Sequence, residues 1–280
     1  MRTSNAMQLK AVIKRKAVEA NVPPQLMLQN YLLERLLKRV SISPWRTRII
    51  VKGGVLIGSL VGVENRTTRD LDATITGVTL THETVTRMFV NVCSINVDDD
   101  FTFSLLRTED IREVDEYPGI RVFLKAEYSP LSVPLSVDVT TGDKITPGAV
   151  LYEYPLVFDE GTIEIMAYPL ETVLAEKVET VLARGVSNTR LRDFYDVFEL
   201  WRVRGSECDA SVLQSAIRAT CEKRGSVSAL SDHGRILVQI REDAQLRKLW
   251  DAYASRYSYA KGICFEDVCD AVSCVVHVVS

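Results

Sequence analysis

Val51-Lys52-Gly53-Gly54-Val55-Leu56-Ile57-Gly58-Ser59, followed after a short spacer by Arg66-Thr67-Thr68-Arg69-Asp70-Leu71-Asp72-Ala73-Thr74-Ile75, is the stretch whose reading decides the fold. Leu71, Ala73 and Ile75 alternate with polar residues, a period of two that predicts a β-strand. On a strand, residues two apart share a face, so Asp70 and Asp72 point the same way. Two like charges that close need a counter-charge. A divalent cation supplies one, and Arg66 or Arg69 beside a solvated strand end supplies another. Lys52-Gly53-Gly54 follows a strand-like run, Thr47 to Val51, and precedes an apolar segment able to start a helix. Glycines let the backbone approach an anion, and helix-start N–H groups favour one; a plain tight turn has the same signature.

Working outward, residues 8–40 read as two helical pieces broken at Asn21-Val22-Pro23-Pro24, with Leu26, Leu33, Leu36 and Leu37 as an apolar stripe. Strands are expected at 47–52, 71–76, 101–107, 119–128, 133–140 and 162–167, with one helix over 82–93. After Pro169 the pattern turns helical, near 169–184, 190–204, 209–223, 235–258 and 264–277. The expectation is an α+β protein: an N-terminal helical arm and mixed-sheet core over 1–167, then a C-terminal helical domain over 168–280. The run 97–116 holds eight acids and two arginines and reads as a solvated loop or edge strand with no catalytic role.

Three further segments carry chemistry. Val133-Pro134-Leu135-Ser136-Val137-Asp138-Val139-Thr140 sets one acid in an apolar strand, where a carboxylate is costly unless a charge or metal compensates it. Asp138 can complete a three-acid cluster with Asp70 and Asp72, the parts of a two-Mg²⁺ phosphoryl or nucleotidyl transfer site; pairing with Lys144 or Arg121 is the alternative. In the helix over 169–184, Leu170, Val173, Leu174, Val178 and Val181 form a stripe, yet position 177, which belongs to it, is Lys177. That lysine either snorkels to water or meets an anion, and a triphosphate fits. In Arg190-Leu191-Arg192-Asp193-Phe194-Tyr195-Asp196 the two acids lie one turn apart; Arg192 and Asp196 are i,i+4 neighbours able to pair, and Asp193 is the better functional candidate.

Bulk composition bounds the setting. The 280 residues are 46% hydrophobic and 25% charged, ordinary for a globular protein with two domains. No apolar run reaches membrane-spanning length and the N-terminus lacks a signal-peptide core, so the expectation is a cytoplasmic protein with no membrane partner. Six cysteines without a paired framework fit a reducing compartment. Cys264, Cys269, Cys274 and His277 cluster in sequence; a zinc site is conceivable, but their gaps are wider than those of a zinc knuckle, and the plainer reading is small buried residues on a terminal helix. The net charge is −3, yet residues 1–52 carry eleven Lys or Arg against Glu19 and Glu34. That basic segment suits nucleic-acid phosphates, an acidic protein partner or a solvated helix face.

Taken together, Lys52-Gly53-Gly54, Arg66-x-Thr68-x-Asp70-Leu71-Asp72, Val137-Asp138-Val139 with Gly142-Asp143, Tyr168-Pro169-Leu170-Glu171 with Ala175-Glu176-Lys177, and Arg190-x-Arg192-Asp193-Phe194-Tyr195-Asp196 resemble the AbiEii-type nucleotidyltransferase toxins of type IV toxin–antitoxin and abortive-infection systems, within the DNA polymerase β-like superfamily. The resemblance runs from about Val51 to Val203. It departs from the family at Arg192, where a lysine is common, and in a ten-residue spacer before Asp70 that leaves Gly53-Gly54 and Gly58-Ser59 competing for one role. It implies Mg²⁺, two ions, on Asp70, Asp72 and Asp138, with Asp138 as base toward the acceptor hydroxyl. It implies Lys177 on the triphosphate and Asp193 positioning Lys177 or the nucleotide, with Gly53, Gly54, Ser59 and Thr68 lining the phosphate pocket and Lys52 and Arg66 supporting it. It implies an NTP donor, an RNA acceptor such as a tRNA 3′ end, and a cognate antitoxin without a stable complex. A small-molecule or protein acceptor, or a nucleotide-binding relative without catalysis, are the alternatives.

Overall fold

A computed structural model describes residues 2–111 and 119–277. Two compact units emerge: one from 1–59, 66–143 and 150–167, the other from 60–65, 144–149 and 168–280. The protein is of mixed α+β class, as the alternation of sequence periods predicts.

The first unit is built on a seven-stranded mixed sheet of order β3-β4-β5-β2-β1-β7-β6. Its strands are β1 (Ile49–Lys52), β2 (Leu71–Ile75), β3 (Thr102–Ile111), β4 (Gly119–Tyr128), β5 (Leu131–Thr141), β6 (Val150–Pro155) and β7 (Thr162–Ala167). β2 runs parallel to β5 and β1 to β7; the other neighbours are antiparallel. Helices α1 (Ala6–Glu19), α2 (Pro24–Ile42), α3 (Gly53–Val61) and α4 (His82–Ser94) accompany it. The break between α1 and α2 falls where the sequence predicts it: Asn21 takes φ 51°, a left-handed conformation that asparagine tolerates, and Pro24 opens α2. β4 and β5 alternate strictly. Ile120, Val122, Leu124 and Ala126 are buried with Val133, Leu135, Val137 and Val139, while Arg121, Ser136 and Asp138 occupy the opposite face.

Two elements of this unit depart from expectation. β6 reads as no strand in sequence because it is an exposed edge, ending in Pro155, with Leu151 63% exposed. The acidic run does supply an edge strand, β3, but the Asp99 side chain is buried and accepts two hydrogen bonds from Arg39, at 2.7 and 2.9 Å. The part of that run beyond 111 lies outside the described residues.

The second unit is helical: α5 (Leu170–Arg184), α6 (Leu191–Arg204), α7 (Ala210–Lys223), α8 (Val227–Ser231), α9 (His233–Glu242), α10 (Ala244–Arg256) and α11 (Phe265–His277). Phe194, Tyr195, Trp250 and Phe265 are buried in its core. The single helix expected over 235–258 is two, because the Asp243 carboxylate caps the N–H of Leu246 and starts α10 afresh. Cys269 is buried on α11, whereas Cys264 and Cys274 are exposed, so only one of the three follows the expectation of a buried terminal helix. No helix among the described residues is long and apolar enough to cross a membrane.

Candidate functional site

Strand register assembles the first part of the site. Lys52 of β1 pairs with Asp72 of β2, Asp72 with Asp138 of β5, and Asp138 with Arg121 of β4. Cross-strand partners share a face, so Arg121, Asp138, Asp72 and Lys52 form one row of charges over four strands. Asp70 sits two residues before Asp72 and accepts a hydrogen bond from Ser136 Oγ, on the same face of β5. The two predicted acid positions on different strands are thus neighbours.

Each end of the row is anchored. Arg121 donates from Nε to Asp138 Oδ1 and from Nη2 to Oδ2, both at 2.7 Å, a bidentate pair. Its guanidinium is held charged more firmly than usual, first by that hydrogen bond, with Asp70 and Asp72 adding attraction. Lys52 Nζ lies 2.6 Å from Asp143 Oδ2, which also accepts from Thr140 Oγ1 at 2.9 Å and from Thr74 Oγ1. Lys52, singled out as phosphate support, is therefore engaged by Asp143, a residue to which the sequence reading gave no role.

The glycines fit against these acids. Gly53 has φ +65°, and a Cβ there would come within 2.1 Å of Asp72 Oδ2. A Cβ on Gly54 would meet Thr68 Oγ1 at 2.7 Å and Arg66 Nη1 at 3.3 Å. Gly54 N–H is directed to Asp72 Oδ2 at the long distance of 3.4 Å. Arg66 is buried and donates to Thr67 O, and Thr68 Oγ1 donates to Asp70 O at 3.3 Å. Gly53-Gly54, at the start of α3, is the pair beside the acids. Ser59 Oγ instead donates to Leu56 O at 2.7 Å and lies 3.1 Å from Tyr152 Oη. Gly58 packs on the carbonyl of Arg66, which a Cβ would approach to 2.6 Å.

In the second unit, Lys177 of α5 does not snorkel alone. Its Nζ lies 2.6 Å from Asp193 Oδ1 and 3.1 Å from Asp196 Oδ2, both on α6. Asp196 is fully buried. Its acid is held by Lys177 rather than by the helical neighbour Arg192, because buried carboxylates take the partner that shares their desolvated environment. Asp193, expected to position Lys177 or the nucleotide, lies beside Lys177, and Asp196 is a further member of the cluster.

The donor set Asp70, Asp72 and Asp138 is all oxygen and suits a hard divalent cation. Among the described residues no three His, Cys, Asp or Glu side chains converge in metal-holding geometry. Asp72 and Asp138 are register partners, and the Arg121 guanidinium holds both oxygens of Asp138. Within the basic segment 1–52, Arg35, Arg39 and Lys52 are paired in buried or partly buried positions, while Arg2, Arg15, Lys16 and Lys38 make more exposed ion pairs. Lys10, Lys14 and Arg46 are exposed.

A mixed sheet with an Asp-x-Asp pair at the head of one strand beside a helix-starting glycine pair, and a helical unit after it, are the parts that the sequence resemblance implies for a nucleotidyltransferase. Two crystal structures share the fold. One, of a candidate nucleotidyltransferase from H. pylori, is 13% identical, with a TM-score of 0.51 over 92% of this chain and 97% of that one. The other, JHP933 from Helicobacter pylori, is 14% identical, with a TM-score of 0.50 over 91% and 93%. No curated protein matches the chain. The family model described as "Nucleotidyl transferase AbiEii toxin, Type IV TA system" matches residues 35–272, and the chain belongs to that family.

Proposed function

We propose that this nucleotidyltransferase moves a nucleoside monophosphate from an NTP to an RNA acceptor, a tRNA 3′ end above others, as the toxin of a type IV pair. The observation that carries the reading is the register that sets Asp72 beside Asp138, with Gly53 so close to Asp72 that no side chain fits between them. In the reaction an RNA hydroxyl oxygen bonds to the α-phosphorus, the bond to the β-phosphate bridge breaks, and pyrophosphate leaves. Asp138 takes the hydroxyl proton once Arg121 releases it. Asp70, Asp72 and Asp138 would hold Mg²⁺, which supplies charge stabilisation at the phosphates and a lowered pKa at the attacking hydroxyl. Gly53, Gly54 and Thr68 give the phosphates close access to backbone N–H groups. Lys177, kept in place by Asp193 and Asp196, neutralises triphosphate charge. The substrates set the activity in the cytoplasm, and the antitoxin acts without a lasting complex; co-purification of the two proteins would contradict that last point.

One observation favours a second acceptor class. The internal pairing of the basic residues leaves less positive surface than composition suggests, as a small-molecule or protein acceptor would allow. The test is incubation of the protein with Mg²⁺, each α-labelled NTP and total RNA. Label in RNA, with affinity falling steeply as salt rises, supports the RNA reading. Label only in a protein band or a small product, insensitive to salt, contradicts it.

A further inference from the structure

Much of the basic segment is paired with acids of the same chain, but one part of it is not. Residues 35–63 contain no Asp or Glu, and residues 73–97 contain only Glu83. The first unit brings these two acid-poor stretches together at the end of β1 away from Lys52. A hydrogen-bonded turn leads into β1. Ser43 Oγ accepts from Trp45 N–H at 3.1 Å, Ser43 O from Arg46 N–H at 3.2 Å, and Trp45 O from Arg48 N–H at 2.8 Å. Against the turn lies the exposed face of α4, where Arg87 and Asn91 are one helical turn apart. Trp45 Nε1 donates to Asn91 Oδ1 at 3.2 Å, and the Arg87 guanidinium lies 5.7 Å from the Trp45 ring centre. Arg48 Nη1 donates to Gly77 O at 2.6 Å; Gly77 has φ +70°, and a Cβ there would overlap that nitrogen. These contacts hold Arg48 and Arg87 in place without neutralising them. Among the described residues none of Arg46, Arg48 and Arg87 makes an ion pair, and Arg46 and Arg87 are exposed.

Three guanidinium groups on an acid-poor surface, two of them fixed by neutral partners, suit a polyanion, and the planar arginine fork matches two phosphate oxygens at once. The patch also lies within reach of the reaction row. Lys52 is four residues along β1 from Arg48, about 13 Å, a span of about four phosphates on one stacked strand. One run of phosphates can therefore touch both, which a compact acidic side-chain cluster on a protein cannot. We propose that Arg46, Arg48 and Arg87, held around Trp45, bind the phosphate backbone of the RNA acceptor away from its reacting end. Phosphate contacts carry no sequence information, so the patch supplies affinity and register and leaves the choice of RNA to other contacts. The inference rests on the reading of an RNA acceptor.

The experiment measures binding of labelled bulk bacterial tRNA to the full chain without NTP, from 50 to 200 mM KCl, together with KM for RNA and for NTP in the transfer reaction. The double variant Arg46→Gln/Arg87→Gln removes two exposed charges that hold no ion pair, so the fold is kept. It should weaken tRNA binding about tenfold at 50 mM KCl and flatten the slope of log K against log salt by about 1.5 to 2. The KM for RNA should rise about as much, with the KM for NTP unchanged. Arg46→Lys/Arg87→Lys should restore most of the slope, because the charge releases the counterions. Wild-type affinity and slope in the double variant overturn the patch assignment alone, and RNA labelling by the wild type then leaves the transfer reading standing. An equal rise in the KM for NTP also overturns it, by showing that the arginines act through the reaction row. Binding of poly-L-glutamate in place of tRNA overturns it in favour of an acidic protein partner. A flattened slope in a protein that labels no RNA supports the patch as an RNA surface while the transfer reading fails.

Discussion

The sheet and the helical unit hold their charges in opposite ways. On the sheet, three carboxylates, Asp70, Asp72 and Asp138, face a half-exposed Arg121, and the row is set by backbone pairing between strands. In the helical unit one cation, Lys177, is gripped by two carboxylates that are 9% and 0% exposed, and the set is held by side-chain packing between α5 and α6. A backbone-set row stays aligned whatever its side chains bind, so its acids can exchange a guanidinium for another cation. A packing-set cluster is rigid because leaving it unpaired is costly. The difference teaches which part of the molecule is built to change partners and which is built to hold one position.

That contrast can be broken or sharpened by substitution. Gly53→Ala should have the largest effect, since its Cβ overlaps the Asp72 carboxylate and its backbone has φ +65°. Displacing Asp72 by about an ångström should lower transfer about 100-fold, with the fold kept, as circular dichroism would register; full activity would mean that Asp72 does not depend on this contact. Asp196→Ala tests the rigid cluster. It should lower stability by about 2 kcal/mol, below the usual figure for a fully buried pair because the Lys177 side chain is 21% exposed. Urea denaturation measures this, and an unchanged midpoint would make the helical cluster as yielding as the sheet row. Arg121→Ala tests the yielding side. Releasing an exposed pair should lower the Mg²⁺ concentration for half-maximal transfer about two- to fivefold; a higher requirement would mean that Arg121 aligns Asp138 rather than competing for it. The smallest effect separates thiols. Burial pushes Cys93 up to about 11, against a lowering by Arg39, so it is almost wholly protonated at pH 8. Ellman's reagent should label exposed Cys274 first, and simultaneous labelling of Cys93 would show that the first unit opens readily.

The two regions were unequally legible in the sequence. Asp70, Asp72 and Asp138 stand out because an acid among alternating apolar residues marks one strand face, a local pattern. Arg121 was named as an alternative partner of Asp138, and the β4–β5 register brings the two together; Asp143 was named without a role, because only the turn after β5 brings it to that row. Lys177 was legible as a charge on an apolar stripe, and its pairing with Asp193 followed. Asp196 was misread as a partner of Arg192, since helical spacing reports neighbours on one helix and says nothing of the helix packed against it. In the basic N-terminal region composition counts charges without their partners, and Arg35 and Arg39 are buried against Glu34, Asp159 and Asp99. β6 and the break at Asp243 were missed because an exposed edge and a single capping carboxylate leave little periodic signal.

The account stands or falls on whether the sheet row performs the transfer. The direct measurement is incorporation of α-labelled NTP by wild type and by Asp72→Asn, a substitution that keeps size and removes charge. The account predicts a loss of about 1,000-fold or more in Asp72→Asn at an unchanged melting temperature. Equal incorporation by the two proteins would contradict it.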